Sequence, residues 1–138
     1  MSIQIGMKTS KVHGVSSAEL ANHWGGEAGA LASPMMIIFI EMTCMSITDH
    51  LLEPDQITVG YRFNINHLAP TPPEWKVRVD AELIDVDGRM MTYRIEVHDA
   101  AGKVADGTHT RFAVSNTRFH ERMQGRKEAA SVLDSTPP

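Results

Sequence analysis

Ser33-Pro34-Met35-Met36-Ile37-Ile38-Phe39-Ile40-Glu41-Met42-Thr43-Cys44-Met45-Ser46-Ile47-Thr48-Asp49-His50-Leu51-Leu52 is the stretch whose reading decides the fold. Ser33 has the character of an N-cap. Pro34 suits the first helical position, where the N–H it lacks would have no partner anyway. Ile37, Ile40, Cys44, Ile47 and Leu51 recur at steps of three and four, one face of a helix. β-branched residues also suit strands, but the length and the start signal favour helix. Met35 to Ile40 is apolar all round, so the rest of the chain is expected to wrap this helix. Glu41 then places a carboxylate in the most apolar part of the sequence. An unpaired buried charge is costly, so Glu41 has an ion partner, reaches solvent, or does chemistry.

Working outward, the 138 residues are enough for one domain with a core of its own. Hydrophobic content of 42% and charged content of 22% are ordinary for a soluble globular protein. A net charge of −4 gives no electrostatic case for nucleic acid or an anionic membrane. The single cysteine, Cys44, excludes an internal disulfide and reads as a small buried hydrophobe. The first residues lack a charged segment followed by an apolar run, so no signal peptide is expected. Met35–Ile40 is too short to span a bilayer. A reducing, cytoplasmic location is the expectation. There is no phosphate-binding glycine loop, and the seven histidines have no metal-ligand spacing, so neither metal nor cofactor is expected.

Before the helix, Ile3, Ile5 and Met7 alternate with Gln4 and Gly6, predicting a first strand that runs toward Val12. Residues 13–32 are small, polar and glycine-rich, a loop with a helical turn near Ala18–His23. Trp24 in it is either a lid over a pocket or a plug at the core edge. After the helix the period becomes two. Val59, Tyr61, Phe63 and Ile65 predict a half-buried strand ending at His67, and Pro70-Thr71-Pro72-Pro73 breaks it. Trp75 to Leu83, Met91 to Val97 and Lys103 to Val114 predict three more strands, with a hairpin at Asp87-Gly88. Residues 1–118 form the domain, and 119–138 read as a polar tail expected to be partly disordered. The order is strand, apolar helix, then four strands. It fits an α+β fold in which a curled antiparallel sheet wraps one long helix, the hot-dog architecture. Sheet edges left open by that arrangement predict a homodimer.

Three polar residues stand out in this frame. Ser33 begins the helix, Glu41 lies within it, and His67 ends the next strand. A hydroxyl, a carboxylate and an imidazole are the groups an acyl-transfer site uses. The helix N-terminus adds free N–H groups and a positive dipole end. Eight helical residues put Ser33 and Glu41 about 12 Å apart, too far to touch, so the site is expected to draw on two chains across a two-fold axis. Spacing alone leaves Ser33 readable as a cap and His67 as a turn residue.

The chain from about Ala32 to Arg118 resembles the fluoroacetyl-CoA thioesterase family of hot-dog proteins. The resemblance rests on Leu52-Glu53-Pro54 through Gly60, on Asn66-His67-Leu68-Ala69-Pro70-Thr71-Pro72-Pro73, on Ala81-Glu82-Leu83 with Asp87-Gly88-Arg89, and on His98-Asp99 with Gly107-Thr108-His109-Thr110-Arg111. It implies a homodimer that hydrolyses acyl-CoA thioesters without metal, coenzyme A being part of the substrate. Glu41 and His67 would be catalytic, and Ser33 would replace the family threonine. Glu41 would activate water or attack the carbonyl, and His67 would protonate the departing thiolate or orient Glu41. Ser33 and the helix N–H groups would hold the oxyanion. Gly60, His67, Arg111 and Trp24 would contact the substrate, Arg111 through a coenzyme A phosphate or carbonyl. The family's acyl-pocket loop carries phenylalanines in its fluoroacetate-specific member. Trp24-Gly25-Gly26-Glu27 stands there here, which implies a different acyl group. Two alternatives share the architecture: a non-catalytic acyl-CoA-binding or sensing protein, and an enoyl-CoA hydratase. The hydratase would be expected to pair Asp and His near the helix start, and no such pair is present.

Overall fold

The apolar stretch forms the central helix α1 (Ser33–Thr48), extended by a 3₁₀ turn at Asp49–Leu51. The computed structural model describes residues 2–130. Around α1 lie β1 (Lys8–Gly14), β2 (Gln56–His67), β3 (Lys76–Asp87), β4 (Met90–Asp99) and β5 (Gly102–Ser115), in one antiparallel sheet of order β1-β3-β4-β5-β2. The period-two alternation turns Val77, Val79, Ala81 and Leu83 of β3, and Met91, Tyr93, Ile95 and Val97 of β4, onto Met36, Phe39, Ile40, Cys44 and Ile47 of α1. Ile40 is fully buried, a contribution of about 1.5–3 kcal/mol. The outer face of the same strands carries ion pairs: Arg78 with Asp80 along β3, Arg94 of β4 with Glu82 of β3, and Glu96 of β4 with Lys103 of β5.

Four local expectations are corrected. The first strand starts at Lys8 instead of Ile3, because Gly6 turns the chain with φ 98°; Ile3 and Met7 still pack against the core. Ser33 is not the N-cap. Ala32 holds that position with extended φ/ψ, and Ser33 is the first helical residue, its hydroxyl being engaged elsewhere. The polar stretch beyond Phe119 is helical as far as Glu128, in α2 (Asn116–Glu128). Its Arg, Gln, Lys and Glu are good helix formers, and the Ser115 hydroxyl accepts from the Arg118 N–H at its start. None of its residues is buried, so it carries no apolar period. The rest of the expected tail, residues 131–138, lies outside the described residues.

The fourth correction matters most for the site. Val59, Tyr61, Phe63 and Ile65 do not share a face. The register of β2 on β5 shifts between Gly60 and Arg62, a β-bulge that leaves Tyr61 unpaired. Before it, Thr58 lies opposite Ala113 and Gly60 opposite Arg111. After it, Phe63 lies opposite His109, Ile65 opposite Gly107 and His67 opposite Ala105. One inserted residue reverses the parity, so Thr58, Gly60, Phe63, Ile65 and His67 all face α1. Tyr61 is 53% exposed and packs edge-on against Phe112.

Candidate active site

Ser33 and His67 meet at the N-terminus of α1, with Ser33 Oγ 2.7 Å from His67 Nδ1. The approach is fixed from both sides. Leu31 N–H donates to the Thr71 carbonyl, and the buried Thr71 hydroxyl donates to Asp99. The segment before the helix is thereby tied to the proline-rich connection after β2. Because Ala32 is the cap and no side chain bonds there, the first-turn N–H groups stay uncovered beside Ser33. Desolvation, partly offset by the Ala69 backbone, holds the His67 pKa below the usual imidazole value. A neutral ring carries its proton on one nitrogen, so Nδ1 either accepts from the Ser33 hydroxyl or donates to it.

Glu41 lies two turns further along α1 and pairs with Arg111. Arg111 Nη1 donates to Glu41 Oε2 at 2.9 Å. The guanidinium is otherwise committed to protein: Nε donates to Thr58 Oγ1, Nη2 to the Thr58 carbonyl, and Nη1 also to His109 Nε2. Thr58 in turn donates to Asp49 Oδ1. His109 is fully buried, and its other nitrogen donates to the Arg62 carbonyl at 2.9 Å. Those two contacts define a neutral tautomer. Burial lowers the pKa of this ring, and the neighbouring Arg111 charge lowers it further, against the Arg62 hydrogen bond and Glu41. Phe63 covers the ring, with centroids 4.1 Å apart and planes 15° from parallel. Gly60 lies against the carboxylate: a Cβ there would be 2.8 Å from Glu41 Oε2. The Glu41 side chain is one-third exposed, and among the described residues Oε1 accepts no hydrogen bond.

The expected residues thus fall into two groups, Ser33 with His67 and Glu41 with Gly60 and Arg111. Among the described residues no hydrogen bond joins them within one chain. Arg111 does not fit the role of a coenzyme A anchor: it is 2% exposed, and each of its nitrogens has a protein partner. Trp24 is not a core-edge plug. It is 57% exposed and is tied to its own loop by its indole N–H on the Ala18 carbonyl. Cys44 is buried, and desolvation pushes its thiol up to about 12, so it is no nucleophile at neutral pH. Sequence reading missed His109, Thr58 and Asp49. The alternation of 109 with 111 was a signal for the first, whereas Thr58 comes inward only through the bulge. Among the described residues no group of His, Cys, Asp and Glu converges to hold a metal, and no helix is long and apolar enough to cross a membrane. A concavity of about 720 Å³ lies away from this chemistry on the outer face of the sheet. Arg78 and Asp80, two of the residues that line it, neutralise each other in an ion pair.

A sheet wrapped on one helix, with polar residues gathered along the helix and the β2 edge, defines a hot-dog protein. Comparison with known proteins gives the family. Residues 15–117 match the family model of the fluoroacetyl-CoA-specific thioesterase FlK, and the chain belongs to this family of thioester hydrolases. It is 31% identical over 98 residues to the fluoroacetyl-CoA thioesterase of Streptantibioticus cattleyicolor, covering 71% of this chain and 70% of that one. A structure of an FlK variant in complex with acetyl-CoA superposes with a TM-score of 0.84 at 26% identity, covering 90% and 98% of the two chains. A further FlK structure superposes with a TM-score of 0.86 over 91% of this chain and 98% of that one; at 24% identity it attests the fold.

Proposed function

We propose that this chain hydrolyses an acyl-CoA thioester to the free acid and coenzyme A, as a homodimer that joins Glu41 of one protomer to Ser33 and His67 of its partner. The observation that carries the reading is the state of the Glu41 carboxylate. Oε2 is anchored on Arg111, while among the described residues Oε1 accepts no hydrogen bond, and the side chain is one-third exposed. An anchored carboxylate with one free oxygen is oriented to take a proton from water or to attack a carbonyl carbon. In the water route, Oε1 accepts the proton as the oxygen of water bonds to the thioester carbon, and the carbonyl becomes an oxyanion. Ser33 and the uncovered N–H groups of α1 face that charge. The Ser33–His67 hydrogen bond operates in either direction: with the ring proton on Nδ1, the imidazole donates to Oγ and frees the hydroxyl hydrogen for the oxyanion. Collapse breaks the C–S bond, and Glu41 returns the proton it took from water to the thiolate, directly or relayed through His67.

The dimer has its own support. β2 is an open edge strand of 12 residues. Ile38, Met42 and Met45 on α1 are exposed, as are Tyr61 on β2 and Leu68 just beyond it. An unpaired edge flanked by exposed apolar side chains invites a second copy. Gly60, exposed beside Glu41, fits the approach of the coenzyme A arm. The mobile-looking composition of the Trp24 loop suits a cover for the acyl group, and with Gly25, Gly26 and Glu27 it favours an acyl group other than fluoroacetyl. The reaction as written uses no cofactor besides the coenzyme A of the substrate, and a single buried thiol suits a cytoplasmic setting.

The test is thiol release from a panel of short, branched, aromatic and halogenated acyl-CoAs by the wild type and by Glu41→Gln. Turnover by the wild type with a loss of about a hundredfold or more in the variant is expected. Binding of acyl-CoA with no turnover of any member would overturn hydrolysis in favour of a binding module. Equal turnover by both proteins would remove Glu41 from the chemistry.

A further inference from the structure

The bulge at Tyr61 also turns Phe63 into the site. Its ring edge, at Cζ and Cε2, lies 3.5 and 3.6 Å from the point a Gly60 Cβ would occupy, and Glu41 Oε2 lies 2.8 Å from that same point. Ring and carboxylate therefore border one small space. Gly60 and Phe63 are both exposed and the Glu41 side chain is one-third exposed, which leaves this space open to a substrate. We propose that Phe63 is the wall of the acyl site and sets the upper size of the acyl group. The inference rests on the thioesterase reading and deepens it.

Phe63 is built as a wall. One ring face is stacked on His109, whose two nitrogens are each held by a hydrogen bond. Phe63 and His109 are direct cross-strand partners. The backbone beside them is clamped, because Gly107 lets Asn64 of β2 approach so closely that a Cβ on residue 107 would lie 2.0 Å from its carbonyl oxygen. The ring cannot retreat into the sheet, which Tyr93 and His109 already fill. An acyl chain leaving a carbonyl carbon at Glu41 toward β2 meets this ring after a few carbons. Short acyl groups fit and longer straight chains do not.

The experiment compares wild type, Phe63→Ala and Phe63→Leu. Two readouts are taken along straight acyl chains from acetyl to decanoyl: kcat/KM for the acyl-CoAs, and calorimetric binding of the non-hydrolysable S-alkyl-CoA thioethers. The wild type should fall off beyond butanoyl. Phe63→Ala should move the fall-off to longer chains and raise the hexanoyl-to-acetyl ratio about tenfold or more, the scale on which an apolar pocket discriminates a methylene group. Phe63→Leu, the variant that best preserves packing, should lie between. An unchanged length profile, or a uniform loss at every length as expected of a coenzyme A contact, would overturn the proposal. If no protein in the set hydrolyses any acyl-CoA, the thioesterase reading fails by itself, and the thioether profile still decides for or against Phe63.

Discussion

Gly60 and Glu41 occupy adjoining space: a methyl group on residue 60 would lie 2.8 Å from the carboxylate oxygen that Arg111 holds. The obstacle is the end of a flexible side chain, so Gly60→Ala should fold and displace the carboxylate. We expect kcat to fall about tenfold or more, as misplacement of a catalytic group by an ångström does, with the melting temperature nearly unchanged. A kcat equal to that of wild type would mean that the position of Glu41 is not critical.

Arg111→Met separates an internal role from a substrate-binding one. It strips Glu41, Thr58 and His109 of a shared donor, and unpaired buried polar groups cost about 1–3 kcal/mol each. A loss of about 2–4 kcal/mol in urea unfolding is expected, together with loss of turnover. If Arg111 served coenzyme A instead, KM would rise and stability would hold.

Ser33→Ala should lower kcat about tenfold to a hundredfold by removing a donor to the oxyanion. Ser33→Thr keeps the hydroxyl next to His67 and should retain most of the activity. Both are read from steady-state kinetics on whichever acyl-CoA proves best.

Three histidines, His13, His67 and His109, have pKa values lowered from 6.5, each chiefly by desolvation. The sign follows from which state binds protons. Above pH 6.5 neither state is protonated at these rings, and stability is at its full value. As pH falls below 6.5 the unfolded chain takes up protons that the folded chain refuses, so stability declines until the folded values are reached. Asp55, Asp80 and Asp106 are lowered from 3.8, so their contribution persists until pH falls below about 4. Melting temperature should therefore drop in two stages on acidification. His109→Gln should shrink the first stage, and an identical slope in that variant would show that His109 does not contribute.

Much of this was legible in the chain itself. The three- and four-residue steps from Ile37 to Leu51 gave the helix, and strict alternation gave β3 and β4, because each buries one face on α1. The parity of β2 was not legible: a bulge adds a residue without a compositional mark, and Tyr61 is as good a strand residue as Phe63. Helix α2 was missed because it buries nothing and shows no apolar stripe. As candidate site residues, Ser33, Glu41 and His67 were singled out by residue type and family resemblance, but the partner of Glu41 was not. Arg111 read as a coenzyme A contact because sequence does not record which cation a buried carboxylate recruits.

The separation of the Ser33–His67 pair from the Glu41–Arg111 pair along α1 has a kinetic consequence. If neither chain holds a complete site, dilution disables the enzyme before it unfolds. Specific activity should then fall with protein concentration below the dissociation constant of the dimer, with the helical signal unchanged, and mixing Glu41→Gln with Ser33→Ala chains should regenerate one intact centre in each heterodimer.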